Sequence, residues 1–69
     1  MAEKKNVKYY AGGEVKVVNG VVYSRTMGGY ELDFYHDDDD LVKPENECSR
    51  EDALKEFVKL YGTSKGFDS

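Results

Sequence analysis

EVKVVNGVVYSRT, residues 14–26, sets an Asn-Gly pair between two runs rich in β-branched residues. A two-residue type I′ turn needs positive φ at both central positions, which Asn and Gly tolerate, so Asn19 and Gly20 predict a hairpin joining strands near 14–18 and 21–26. The turn fixes a register: Val18 opposite Val21, Val17 opposite Val22, Lys16 opposite Tyr23, Val15 opposite Ser24 and Glu14 opposite Arg25. Side chains alternate along a strand. One face therefore carries Val15, Val17 and Val22 and the other Glu14, Lys16, Tyr23 and Arg25, and the valine face is the expected core.

Upstream, VKYY at 7–10 alternates and runs into Ala11-Gly12-Gly13, which predicts a first strand and a three-residue loop that turns Val7 and Tyr9 onto the valine face. Downstream, Met27-Gly28-Gly29 precedes a strand near 30–36. A two-residue loop at the glycines would pair Tyr23 with Phe34 and Arg25 with Leu32, putting large apolar residues on the charged face. A three-residue loop pairs Val22 with Phe34, Ser24 with Leu32 and Arg25 with Glu31, and is the preferred reading. It sets Arg25 between Glu14 and Glu31, two opposite-charge neighbours. The expected sheet is a four-stranded antiparallel meander whose apolar face holds Val7, Tyr9, Val15, Val17, Val22, Tyr30, Leu32 and Phe34.

A one-sided sheet needs a cover, and the C-terminal third provides it. Ser49 stands three residues before Asp52, a capping pattern, and Glu51 and Asp52 suit the positive end of a helix dipole, so a helix is predicted near 50–61. On a helical wheel Ala53, Leu54, Phe57, Val58, Leu60 and Tyr61 fall within an arc of about 160°. Gly62 ends the helix, and Phe67 is expected to tuck back onto the core. The fold class expected is α+β, a single domain over 1–69 with flexible tails at 1–6 and 63–69.

A chain of 69 residues buries only about 60% of its unfolded surface, which leaves little room for a deep substrate pocket. With a single cysteine no internal disulfide can form, and a reducing, cytoplasmic setting is expected. No run approaches the roughly 18–20 apolar residues of a membrane span, and no targeting segment is read at the N-terminus. The net charge of −4 is unevenly spread. Residues 1–30 carry a net +3, residues 31–56 hold eleven acids against three bases for −8, and residues 57–69 carry +1.

The chemistry-bearing residues are few. His36 followed by Asp37, Asp38, Asp39 and Asp40 has ligand types for a divalent ion, but lacks the glycine and the spaced oxygens of a calcium loop. Cys48 precedes the predicted helix, where a dipole can lower a thiol pKa; a catalytic role also needs a base and an oxyanion site, and His36 is the only histidine. The Gly-Gly pairs lack the lysine of a phosphate loop and are turns. No catalytic residue, metal or cofactor is assigned, and the protein is not expected to be an enzyme.

Two surfaces remain. The carboxylates of Asp33, Asp37, Asp38, Asp39, Asp40, Glu45, Glu47, Glu51 and Asp52, set on a rigid small sheet, can imitate the phosphate row of a nucleic acid and occupy a basic groove of a partner protein. Small acidic anti-restriction and anti-CRISPR inhibitors work by this principle, an analogy of charge and size rather than of sequence. The same acids repel phosphates, so direct nucleic-acid binding is not expected, nor is membrane binding. The alternative is a structural or self-associating module, a homodimer for instance, that uses an outward sheet face of Val18, Val21, Tyr23 and Tyr35.

Overall fold

The computed structural model describes residues 6–68 and contains an antiparallel sheet packed with one C-terminal helix. The strands are β1 (Val7–Tyr10), β2 (Val15–Val18), β3 (Val21–Thr26), β4 (Gly29–Leu32) and β5 (Glu47–Cys48), and the helix is α1 (Arg50–Tyr61). Their order across the sheet is β4-β3-β2-β1-β5. The expected meander is therefore present, but a fifth, two-residue strand returns to pair with β1, Tyr9 opposite Cys48 and Tyr10 opposite Glu47. The predicted fourth strand also ends early, at Leu32.

The central hairpin has the predicted register at all four β2–β3 pairs, from Val15 opposite Ser24 to Val18 opposite Val21. Asn19 takes φ 50° and Gly20 φ 83°, as a type I′ turn requires. Asn19 is also tied to Asn6: its side-chain oxygen accepts the Asn6 N–H at 3.0 Å, and its own N–H donates to the Asn6 carbonyl at 2.9 Å. Of the predicted N-terminal tail, residues 1–5 lie outside the described residues.

Both flanking turns differ from expectation by one residue. Tyr10 stands opposite Val15, so the β1–β2 connection holds four residues, and Tyr9 faces Lys16 rather than Val15. Ala11, Gly12 and Gly13 all have positive φ (54°, 67° and 90°), a left-handed turn that two glycines make tolerable. Glu14 keeps its partner on the other side, its carbonyl accepting Arg25 N–H at 2.9 Å. At the second turn Thr26 stands opposite Gly29, so the loop is Met27-Gly28, and Tyr23 faces Leu32 while Arg25 faces Tyr30. Gly29 is needed elsewhere: an added Cβ would run into the carbonyl oxygen of Gly66, where the C-terminal segment meets the sheet.

A one-residue slip exchanges the faces of a strand. Two slips, one on each side of the hairpin, invert it relative to β1 and β4. Val7, Tyr9, Tyr30 and Leu32 share a face with Lys16 and Tyr23, whereas Val15, Val17 and Val22 look the other way with Ser24. The expected single valine core is corrected accordingly. The helix packs on the Tyr9 face, where Tyr9, Tyr30, Ala53, Phe57 and Phe67 form the core, with Val7, Tyr23, Cys48, Leu54 and Tyr61 packed against it. Lys16 joins that face by lying along it, its ammonium 4.9 Å from the centre of the Tyr30 ring. Arg25 does not sit between Glu14 and Glu31; its guanidinium donates to the Gly12 carbonyl at 3.3 Å.

The helix itself follows its sequence signals. Ser49 Oγ accepts the Asp52 N–H at 3.1 Å, and Gly62, at φ 72°, closes the last turn with its N–H on the Val58 carbonyl at 2.7 Å. Ala53 and Phe57, one turn apart, are buried; Val58 and Leu60, placed inward by the wheel, are exposed. A small sheet offers the helix a narrow seat. Beyond it the chain turns back and inserts Phe67, 1% exposed, between Tyr9, Tyr30 and Phe57. Residues 63–68, read from sequence as a flexible tail, thus carry a core side chain.

The other face is not bare either. Val15 is fully buried and Tyr10 nearly so, yet neither belongs to the helix-side cluster. The chain from β4 at one edge to β5 at the other crosses over them, with half-buried Leu41 and Val42 in its middle. Ser24 Oγ, on the valine face, donates to the Asp38 carboxylate and anchors this crossing.

Candidate functional site

The crossing loop, residues 33–46, holds most of the acids that the sequence singles out. Its order comes from within. Asp33 leaves β4 and its two carboxylate oxygens accept the backbone N–H groups of Asp37 (3.2 Å) and Asp38 (3.0 Å), which winds the loop around one side chain. Asp38 is then fixed by Ser24. Asp39 Oδ2 lies 3.3 Å from His36 Nδ1, and His36 takes a left-handed φ of 57°. Two short 3-10 turns, Asp39–Leu41 and Pro44–Asn46, carry the chain onward, and the Asn46 side-chain amide donates to the Leu41 carbonyl at 3.1 Å.

The sequence reading treats Asp33 and 37–40 alike, as part of one partner-facing carboxylate row. Three of these five acids prove to have structural work: Asp33 as a hub, Asp38 as an anchor and Asp39 as the partner of His36. Asp37 and Asp40 are exposed, as are Glu45 and Glu47. Glu51 and Asp52 are exposed in the first turn of α1. The loop starts on the edge strand β4 and ends at the opposite edge, four strand spacings away, so the carboxylates span roughly 19 Å at about 4.8 Å per strand. They form a belt across the sheet and around its β5 edge, not a point cluster.

Asp33 as an organiser had a signal that went unused: an aspartate side chain readily accepts backbone N–H groups a few residues further on, and so can nucleate a loop. Nothing in the spacing of Ser24 and Asp38 announces their bond, because it depends on which face the loop crosses.

The second predicted surface does not exist as a face. Val18, Val21 and Tyr23 do share a side, but it is the helix side, and Tyr23 packs against the core there. Tyr35 lies beyond β4 in a turn, 85% exposed. Next to it Phe34 is 74% exposed, although the sequence places it in the core.

Where β4 leaves the sheet a hollow of about 570 Å³ opens. It lies at a corner of the sheet and takes lining from both faces, Val21 and Leu32 from the helix side and Val22 from the other, together with Gly20, Val42 and the polar residues Asp33, His36 and Asp39. Sequence reading missed it because the loop that forms one wall has no regular structure.

Cys48 is half-buried in β5, opposite Tyr9, and packs against the core. Among the described residues no group of three His, Cys, Asp or Glu side chains could hold a metal ion, and no helix is long and apolar enough to cross a membrane. Burial raises the pKa of both Tyr9 and Tyr30 above 10.0; Arg50 partly offsets the effect at Tyr9, and the neighbouring Tyr9 adds to it at Tyr30. These are core tyrosines, and Tyr30 donates its hydroxyl proton to the Gly13 carbonyl at 2.6 Å. Comparison of the chain with protein-family models, with curated proteins and with solved structures gives no match.

Proposed function

We propose that this chain is a small non-enzymatic regulator or inhibitor that binds another protein, its carboxylate belt engaging a basic surface of the kind that handles nucleic acid. The observation that carries the reading is the division of labour in the acidic loop. Asp33 and Asp38 hold the loop in shape, so Asp37, Asp40, Glu45 and Glu47 are presented on an ordered backbone. Charges fixed in advance lose less entropy on binding than charges on a free coil, and opposite charge accelerates encounter. A reducing, intracellular setting goes with this reading and with the single free thiol.

The self-associating alternative loses its continuous sheet face, since Tyr23 is taken up by the core and Tyr35 stands apart. The test is affinity capture of partners from the native host with the native protein and with a version in which Asp37, Asp40, Glu45 and Glu47 become Asn or Gln. Those four changes leave every hydrogen bond of the Asp33 and Asp38 carboxylates in place. A partner held by the native protein at low salt, released between about 50 and 300 mM, and lost by the neutralised version is the expected result. Equal capture by both versions would exclude the carboxylates as the recognition element.

A further inference from the structure

We infer that the hollow at the end of β4 is an anchor site for a basic, amphipathic peptide segment: one bulky apolar side chain enters between Val21, Val22, Leu32 and Val42, and flanking Arg or Lys side chains meet the acidic rim. The inference rests on the charge reading above and deepens it by naming what the partner presents.

Three features of this place converge. The hollow, at about 570 Å³, lies within the range of sites that enclose small ligands or a few peptide side chains. Four of its lining residues are aliphatic, and Asp33 and Asp39, the latter paired with His36, line it near exposed Asp37, so an apolar group carrying positive charge is favoured over an apolar group carrying negative charge. Finally, Leu32, Phe34 and Tyr35 are exposed in succession beside it, in a chain whose core is too small to leave large apolar side chains in water without consequence. His36 extends the same turn in a left-handed backbone conformation that a non-glycine residue rarely adopts. The turn holds Phe34 and Tyr35 outward, in the chain between Asp33 and His36 of the lining, and their exposed rings are free to stack on an occupant's guanidinium groups.

A partner segment with both kinds of side chain explains the position of both kinds of surface. Charge alone would leave the exposed aromatics without a role, and an apolar ligand alone would leave the negative charge beside the hollow unmatched.

The test uses three labelled hexapeptides, RRLFRR, RRSGRR and EELFEE, titrated into the full chain by fluorescence anisotropy, with NMR shifts followed at the methyl groups of Val21, Val22, Leu32 and Val42. Expected is binding of RRLFRR at least tenfold tighter than RRSGRR, with the methyl shifts confined to RRLFRR, and no saturable binding of EELFEE. In Val21→Gln, a neutral polar change at an exposed residue of the lining, the preference for RRLFRR should fall to about onefold while RRSGRR binds as before. Phe34→Ser, at a ring that is 74% exposed, should weaken RRLFRR about fivefold without moving the thermal midpoint. Equal affinity for RRLFRR and RRSGRR would overturn the anchor site and leave the charge reading standing. Failure of both cationic peptides to bind would overturn both. An unchanged preference in Val21→Gln, or EELFEE binding as tightly as RRLFRR, would overturn the anchor site.

Discussion

The ring of Phe67 stacks on that of Tyr9, their centroids 5.6 Å apart and their planes 10° from parallel. This contact brings the last described turn of the chain into the first strand's core, and edge-to-face contacts with Tyr30 and Phe57 complete the cage. Outside, the Arg50 guanidinium covers the Phe67 ring at 5.2 Å and donates to both oxygens of Asp68 at 2.7 and 2.6 Å. Truncating a buried phenylalanine costs about 3–5 kcal/mol, which is comparable with the whole stability of a domain this small. Phe67→Ala is therefore expected to be largely unfolded at 37 °C, as read by urea titration followed by circular dichroism. Asp68→Ala, which opens only an ion pair lying in solvent, should leave the midpoint nearly unchanged.

Gly13 and Ala53 set the distance between the first turn and the helix. A Cβ on Gly13 would sit 2.7 Å from the Ala53 Cβ, and the backbone there has φ 90°. Gly12 has φ 67° but open space around it. Gly13→Ala should thus cost about 2–4 kcal/mol from overpacking and backbone strain together, and Gly12→Ala only about 1 kcal/mol from the backbone. Ala53→Gly removes the nearer of the two closest atoms, leaving the Ala53 Cα at 2.9 Å, and costs about 1 kcal/mol in helix propensity besides the loss of a buried methyl. In a double-mutant cycle, Gly13→Ala with Ala53→Gly should be more stable than the sum of the two single changes predicts.

The two raised tyrosines make the fold sensitive to alkali. Tyr30 and Tyr9 stay protonated in the folded protein above pH 10.0, where tyrosines in the unfolded chain begin to ionise. Their contribution is fully present below that pH and is lost as pH rises toward their folded values, by about 1.4 kcal/mol per pH unit for each tyrosine that differs. Urea midpoints should therefore be flat from about pH 7 to 9.5 and fall steadily above pH 10. Tyr30→Phe should lower the midpoint at pH 7, through the lost hydrogen bond to the Gly13 carbonyl, and flatten the alkaline decline.

How much of this was legible in the sequence depends on what fixed each feature. The Asn19-Gly20 turn, the Ser49 cap and the Gly62 stop are local chemistry, and each lies where the residues put it. The flanking turns are not local. Gly29 looks like a turn residue, but it serves as the point where Gly66 approaches, a contact 37 positions away in the chain. Moving it from the loop into β4 shifts the register by one and sends Leu32 to the opposite side from Val22. The acidic loop was legible as charge and illegible as shape, because Asp38 finds Ser24 only after the hairpin has been inverted. The register itself has a direct signature. The Asp33 N–H donates to the Val22 carbonyl at 3.1 Å, which makes Tyr23 and Leu32 a non-hydrogen-bonded pair with close Cα atoms. A strong Hα–Hα Overhauser effect is expected between Tyr23 and Leu32, and none between Ser24 and Leu32.

Asp33 allows charge and shape to be separated. Asp33→Ala and Asp33→Asn remove the same single negative charge, but the amide keeps an oxygen that can accept one of the two N–H groups now bound by the carboxylate. Losing both bonds should cost about 1–2 kcal/mol of loop stability, read as faster hydrogen exchange at the Asp37 and Asp38 amides, with Asn intermediate between Ala and the native residue. If preorganisation of the belt matters for binding a basic partner, affinity follows the same order, and Asp33→Ala weakens the complex more than Asp33→Asn. Asp37→Asn, which removes one exposed charge without touching a carboxylate that holds the loop, is the control for charge alone. Equal losses from all three changes would mean that the partner counts charges and ignores the way Asp33 arranges them.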